Sequence, residues 1–185
     1  IAITDHGNLY GAVEFEEAAE KAGIKSIIGC EFYVCDDMTK REKQYDHLVL
    51  LAKNETGWLN LVKLDSLAFV DGFYYHPRID YKLLREHTEG LVCMSACIAG
   101  TVPSAILDGD YDLAVKRAKE LADMFAEGDF YIEVQDHGLM EEKRCMPKLV
   151  QLARECGYKI VATNDVHYVE KEDAEMHDVL LCVQT

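Results

Sequence analysis

Short apolar runs alternate with helical periodicities along nearly the whole chain, and this alternation limits the available folds more than any other feature. The runs at 1–4, 26–34, 47–52, 91–94, 130–134 and 159–162 are strand-like. Between them, 9–22, 56–69, 111–127, 141–156 and 171–181 carry apolar residues at helical spacing. Gly23 is a natural stop for the first helix. Pro147 is the one internal objection to the fourth, because proline removes an amide donor. Residues 71–80 read as a loop. Strands separated by helices predict an α/β fold: a parallel sheet of about six strands with right-handed crossovers. An open doubly wound sheet commonly has a glycine-rich first turn. Neither G-x-G-x-x-G nor G-x-x-x-x-G-K-[ST] occurs, so a closed barrel is expected.

Composition removes several function classes. Thirty-four acidic against 19 basic residues give a net charge of −15, which is not the broad basic footprint of a non-specific DNA binder. Metal ions could still offset that charge locally. No apolar run approaches the roughly 18 residues of a membrane span, so no membrane partner is expected. Seven cysteines, scattered through apolar segments, do not make a disulfide framework and suit a reducing cytoplasm. The 185 residues fit one domain or most of one. Because Ile1 opens a strand already under way and 180–185 carries no stop signal, 1–185 is expected to be a partial domain, lacking its first strand and its C-terminal part.

In a parallel barrel, chemistry collects where strands end. The first strand end gives Thr4-Asp5-His6-Gly7-Asn8, and the second strand carries Gly29-Cys30-Glu31. The third begins at Asp46-His47 and the fourth ends at Ser95-Ala96-Cys97. The fifth contains Glu133 and runs to Asp136-His137-Gly138, and the sixth ends at Asn164-Asp165-Val166-His167. Imidazole and thiolate favour zinc, and carboxylates can bridge ions and accept manganese or magnesium. On an extended segment Asp165 and His167 share a face. Clustered metals would lower the pKa of a bound water and clamp a phosphate. Each signal alone has a plainer reading. His6 after Asp5 fits a helix cap with a surface imidazole, Cys97 fits a core residue, and Glu133 fits a salt-bridge partner. Glu31 is harder to dismiss, because a carboxylate in an apolar strand needs a partner. His76, His87 and His177 read as solvated or interfacial. Glu14, Glu16, Glu17 and Glu20 read as a solvated helix face. Lys40-Arg41-Glu42-Lys43 reads as a mobile loop, with contact to a phosphate backbone as one use for it. No G-x-S-x-G elbow occurs.

The Thr4-Asp5-His6-Gly7-Asn8 box, Gly29-Cys30-Glu31, His47 with Ala52-Lys53-Asn54, and Asn164-Asp165-Val166-His167-Tyr168 resemble the polymerase and histidinol phosphatase (PHP) domain family. The stretches 72–80, 95–100 and 133–138 are similar to its branch in bacterial DNA polymerase III α subunits. The resemblance covers essentially the whole chain. It implies a distorted (β/α)7 TIM-like barrel, with two to three zinc or manganese ions at the strand ends. Carried over by motif, His6 is a ligand, Glu31 the bridging carboxylate, His47 and Cys97 ligands of a second metal, and Asp165 and His167 a final pair. Glu133 and His137 stand as second-layer candidates, and a metal-bound hydroxide is the expected nucleophile. The family's His-x-His motif is not in this chain, which leaves the first metal site incomplete, and His76 stands where lysine is expected. The resemblance further implies part of a DNA-directed DNA polymerase, a nucleotidyltransferase of DNA replication. Its PHP domain would be a metal-dependent phosphoesterase, often a 3′–5′ exonuclease. The implied partners are a DNA 3′ end and other polymerase III subunits, including a proofreading exonuclease subunit. Two other readings stay open: a catalytically silent platform for those subunits, and a stand-alone phosphatase of the same family.

Overall fold

A computed structural model describes residues 1–184. In chain order the elements are β1 (Ala2–Ile3), α1 (Ala12–Ala22), β2 (Ile27–Cys35), β3 (Asp46–Ala52), α2 (Glu55–Val70), β4 (Arg78–Asp80) and α3 (Tyr81–Arg85). Then follow β5 (Leu91–Met94), α4 (Thr101–Leu107), α5 (Tyr111–Ala122), β6 (Phe130–Val134), α6 (Met140–Cys156), β7 (Lys159–Ala162), a 3-10 turn (Lys171–Asp173) and α7 (Ala174–Gln184). The seven strands form one sheet in the order β1-β2-β3-β5-β6-β7, with β4 also paired to β2. The sheet curls into a partial barrel, and β1 and β7 do not pair.

The expected all-parallel sheet is corrected at one strand. β3 runs antiparallel to both β2 and β5. The cause is the connection. A parallel return needs a crossover of about a dozen residues or more, commonly a helix, and the polar loop 36–45 contains none. The reversal has a functional consequence. It brings the start of β3, where His47 stands, to the barrel end at which the parallel strands finish.

Register sorts the side chains into two faces. Phe32 pairs with Leu48 and Cys30 with Leu50, and all four are buried. They join the main core beneath the helices, with Leu61 and Leu64 of α2, Leu121 of α5 and Leu152 of α6. The other face carries the row Glu31, Val49, Met94 and Tyr131. There Val49, Met94 and Ala96 form a smaller apolar cluster, roofed by the polar residues at the strand ends.

The shorter elements depart from the sequence reading. α1 starts at Ala12, not near residue 9, because Asn8 folds 8–11 into a turn: its side chain donates to the His6 carbonyl and accepts from the Tyr10 amide. β4 occupies the end of what reads as a loop, and α3 follows where no element was expected, with Asp80 accepting from the Leu83 amide at 2.8 Å as its cap. α4 escapes the pattern because it is short and carries Pro103 in its first turn, where no helical donor is lost. α5 ends at Ala122, and 123–129 turns the chain into β6. Pro147 does lie inside α6.

Arg78 is the largest fully buried side chain. Its guanidinium donates to four carbonyls, those of Gly72, Glu42, Met38 and Lys40, at 2.8–3.1 Å. No carboxylate pairs with it among the described residues. One cation therefore ties loop 36–45 to loop 71–77. Arg78→Met leaves these carbonyls without their shared donor and should cost about 2–4 kcal/mol, seen as a thermal midpoint lowered by roughly 5–15 °C. Arg78→Lys should not restore it, since an ammonium lacks the planar fork. An unchanged midpoint in Arg78→Met would remove this anchoring role.

Candidate metal centre

The backbone brings the donors together before their side chains meet. Beyond β1, the Glu31 amide donates to the Asp5 carbonyl at 3.0 Å and the Gly7 amide to the Glu31 carbonyl at 2.8 Å. These bonds set His6 beside Glu31 on the inner face. Gly7 then turns the chain at φ +60°, and a Cβ there would meet the Tyr33 ring at 2.8 Å. Across the mouth, the His47 amide donates to the Ala99 carbonyl at 3.0 Å, which holds the loop carrying Cys97 against the start of β3. That loop contains Ala96 at φ +63°, a strained conformation for a residue with a side chain.

Glu31 is the hub. Its side chain is 6% exposed. Oε1 lies 3.2 Å from His47 Nδ1 and 3.9 Å from Cys97 Sγ, and Cys97 Sγ is 3.6 Å from the same nitrogen. The three donor atoms lie within 4.8 Å of one another. Glu31 Oε2 is in ion-pair contact with His6 Nδ1, yet this buried oxygen accepts no properly aligned hydrogen bond. His6 Nε2 in turn lies 3.2 Å from His167 Nε2. The His167 Nδ1 proton points at the Asp165 carbonyl at 2.8 Å, which leaves a lone pair on His167 Nε2. With the His6 Nδ1 facing Glu31 in the same way, the two Nε2 atoms must share one proton across that gap, or a shared cation must take its place. This nitrogen pair and the buried Glu31 carboxylate both fit a divalent metal, and the N, S and O donors fit zinc.

The expected residues thus fall into a connected set. His6, Glu31, His47, Cys97 and His167 are linked by direct contacts, while Asp165 joins through His167, at 3.8 Å. Asp165 adopts φ +43°, a second strained point beside the site. Glu133 is buried on β6. Its Oε1 accepts from Thr163 Oγ1 and from Gln135 Nε2, and its Oε2 is unpaired. Burial pushes its carboxyl above the ordinary range, and the nearby Asp165 and Glu31 charges act the same way. His137 does not face the cluster. Its Nδ1 is 2.6 Å from Glu142 Oε1 and its Nε2 2.7 Å from the Asn164 carbonyl. Both partners are acceptors, so the ring must be an imidazolium, and the Asn164 carbonyl and Glu142 both raise its pKa. It clamps the segment that carries Asp165 and His167.

Several contributors were not read from the sequence. Ser95 Oγ accepts from the Glu133 amide at 2.9 Å. Tyr33 and Tyr45 belong to the mouth, and strand alternation was the signal: Tyr33 lies two residues beyond Glu31, and Tyr45 two before His47. His76 packs against Tyr33 and Tyr45, while His177 lies 5.6 Å from the His167 ring. His87 bonds the Leu83 carbonyl, away from the site.

Residues 1–137 match the family described as "PHP domain". Relatives named DNA polymerase III subunit alpha align over the entire chain: 47% identical in Treponema pallidum and 48% in Thermus aquaticus, each covering 16% of the relative. A third, from Borreliella burgdorferi, is 45% identical and is covered to 17%. The chain thus spans about a sixth of the length of these curated relatives. Asp165 and His167 lie beyond the family match but inside these alignments.

Two outcomes follow from this geometry. Burial works against the Glu31 carboxylate, but His47 and His6 outweigh it and hold it at about 2, below its ordinary 4.5. Burial likewise opposes charge on His47, but Cys97 and Glu31 outweigh it and carry it to about 10, above 6.5. The Glu31 contribution is complete above its unfolded value and is lost as pH falls toward the folded one; the His47 contribution is complete below 6.5 and is lost as pH rises toward 10. The metal-free protein should therefore be most stable between about pH 4.5 and 6.5, measured as thermal midpoint in chelator, and Glu31→Gln should flatten both limbs. His137→Ala should weaken zinc binding about ten-fold to a hundred-fold in a competition titration; unchanged affinity would show that the clamp does not orient Asp165 and His167.

Proposed function

Because the chain belongs to the PHP domain family, we propose that it is the N-terminal PHP region of a replicative DNA polymerase III α subunit and a metal-dependent phosphoesterase. Its substrate is the 3′ end of a DNA strand, which it shortens as a 3′–5′ exonuclease. The nucleotidyl-transfer activity of the whole protein belongs to other parts of a much longer chain. The observation that carries the reading is the convergence of His6, His47, Cys97 and His167 on the buried Glu31 carboxylate, with donor atoms of Glu31, His47 and Cys97 within 4.8 Å of one another.

Glu31, His47 and Cys97 would hold one ion, and His6, with Glu31 between, would help hold a further one, while Asp165 and His167 would serve different ions. The metal is zinc or manganese, two to three ions in the intact domain. A metal held there polarises a phosphoryl oxygen and lowers the pKa of water, so that a nucleophile is available at neutral pH. The chain's own residues do the rest. Glu31 fixes the imidazoles of His6 and His47 in orientation. His137 and the strained Asp165 backbone hold the last pair at the mouth. Positive charge concentrated at this point also answers the net charge of −15, which would otherwise repel a phosphodiester. Seven free cysteines suit the reducing cytoplasm.

One observation favours a second role beside the first. α7 exposes Met176, Val179, Leu180 and Val183, and Val166 and Val169 before it are also exposed. Such a surface fits docking against other parts of the polymerase or against its subunits, including a proofreading exonuclease subunit. No helix is long and apolar enough to cross a membrane.

The test is made on the natural full-length protein. Elemental mass spectrometry should find two to three zinc or manganese ions, and a 3′-labelled oligonucleotide should lose its terminal nucleotide. Asp165→Ala should abolish that release and lower metal content. Exonuclease activity retained in Asp165→Ala would sink the catalytic reading. Metal bound without any nuclease would leave the platform role alone.

A further inference from the structure

A cluster of rings stands at the mouth, beside the candidate metal centre. Tyr33 lies 5.4 Å from the His47 ring, 4.9 Å from Tyr45 and 4.6 Å from His76, and Tyr45 lies 5.0 Å from His76. The contacts among Tyr33, Tyr45 and His47 are edge-on or stacked. These rings are only partly buried, so they do not form a core. Next to His76 in sequence, Tyr75 is 62% exposed, held at φ +62° and packed edge-on against Tyr74. That conformation is costly for a bulky residue. Lys43 Nζ sits over the Tyr75 ring at 3.8 Å.

The charge beside these rings differs from the rest of the chain. Loop 36–45 sets Lys40, Arg41 and Lys43 against Asp36, Asp37 and Glu42, so it is neutral by itself. Beneath it lies the buried Arg78 cation, bonded to carbonyls and to no carboxylate among the described residues. Asp46, Asp80 and Arg117 stand beside it as well, so this side of the mouth is close to neutral in a chain of −15. None of the three loop cations forms an ion pair among the described residues, which leaves them available to phosphates.

The geometry points to a single-stranded nucleic-acid track: Tyr45, His76 and Tyr75 stack the last bases of the strand while Lys43 and its neighbours follow the backbone toward His47. Stacked aromatics beside a cationic strip are how single strands are held without sequence preference, since every base has a π-face. This assignment rests on the phosphoesterase reading for its direction, because the rings lead to the site where the phosphodiester would be cut. It adds that the bases are gripped, not only the phosphates, so an unstacked end should be preferred over a paired one.

The test compares two substrates on the full-length protein, a 5′-labelled oligo(dT) and the same strand with abasic sites at its last three positions. The wild-type protein should cleave the base-bearing strand with roughly ten-fold or higher kcat/KM. Tyr45→Ala should collapse that ratio through KM, and Tyr45→Phe should restore it, while bound metal stays equal to wild type. A ratio near one in the wild-type protein, or one unmoved by Tyr45→Ala, overturns the track while leaving the phosphoesterase reading standing. A second measurement covers a protein without nuclease activity: photocrosslinking of a strand ending in 5-iododeoxyuridine. Adducts on Tyr45, Tyr75 or His76 would support the track even as the catalytic reading fell. Absence of both cleavage and adducts overturns both.

Discussion

A carboxylate on the inner face of a sheet cannot stay charged without partners, and Glu31 is placed there by the centre of β2. A buried charge of this kind costs several kcal/mol unless it is paired. The fold meets that demand from three directions. The end of β1 supplies His6, the start of β3 supplies His47, and the loop after β5 supplies Cys97. Each arrives through backbone hydrogen bonds that exist apart from the side chains, so the polar cluster is a product of sheet register. Even so, one Glu31 oxygen has the His6 imidazole as its one partner among the described residues, and the His6 and His167 Nε2 atoms face each other at 3.2 Å. The protein side chains alone do not complete the site, and this is the physical ground for assigning a cation to it.

The arrangement depends on one reversed strand. Had β3 run parallel like its neighbours, His47 would lie at the far end of the barrel from Glu31. The loop 36–45 prevents that, and Arg78 holds the loop through three backbone carbonyls, those of Met38, Lys40 and Glu42. The same buried cation offsets part of the acidic charge around the mouth. Fold, metal donors and the charge facing a phosphate therefore trace to neighbouring segments of the chain, 31–47 and 71–78. The opposite side of the mouth is built differently. There the Asp165–His167 segment is fastened by His137 and Glu142 and touches His6 across the gap between the unpaired strands β1 and β7.

Much of this was legible in the residues. The strands at 26–34, 47–52, 91–94, 130–134 and 159–162 are where alternation and apolar runs put them, because each buries a face that only such a pattern can fill. β4, α3 and α4 were not legible, being too short for a period to show. The orientation of β3 went unread: a strand's own pattern is the same in either direction, and the one signal was the helix-free loop 36–45 before it. The expected ligands could be named as a set through the family resemblance, since each of them alone has a plainer reading. Tyr33 and Tyr45 went unnamed, and His76 read as solvated or interfacial, because a tyrosine or a histidine near a strand end has ordinary packing explanations.

Local sequence therefore determined the elements, the family and the candidate donors: these depend on periodicity and on residue chemistry, which are properties of short segments. The tertiary structure decided which donors share a site, which way β3 runs, and that Arg78 and the tyrosines belong to the mouth. Those facts depend on strand pairing and loop closure between segments tens of residues apart. Contacts of that range arise from the energy of the whole fold, and no window of the sequence contains them.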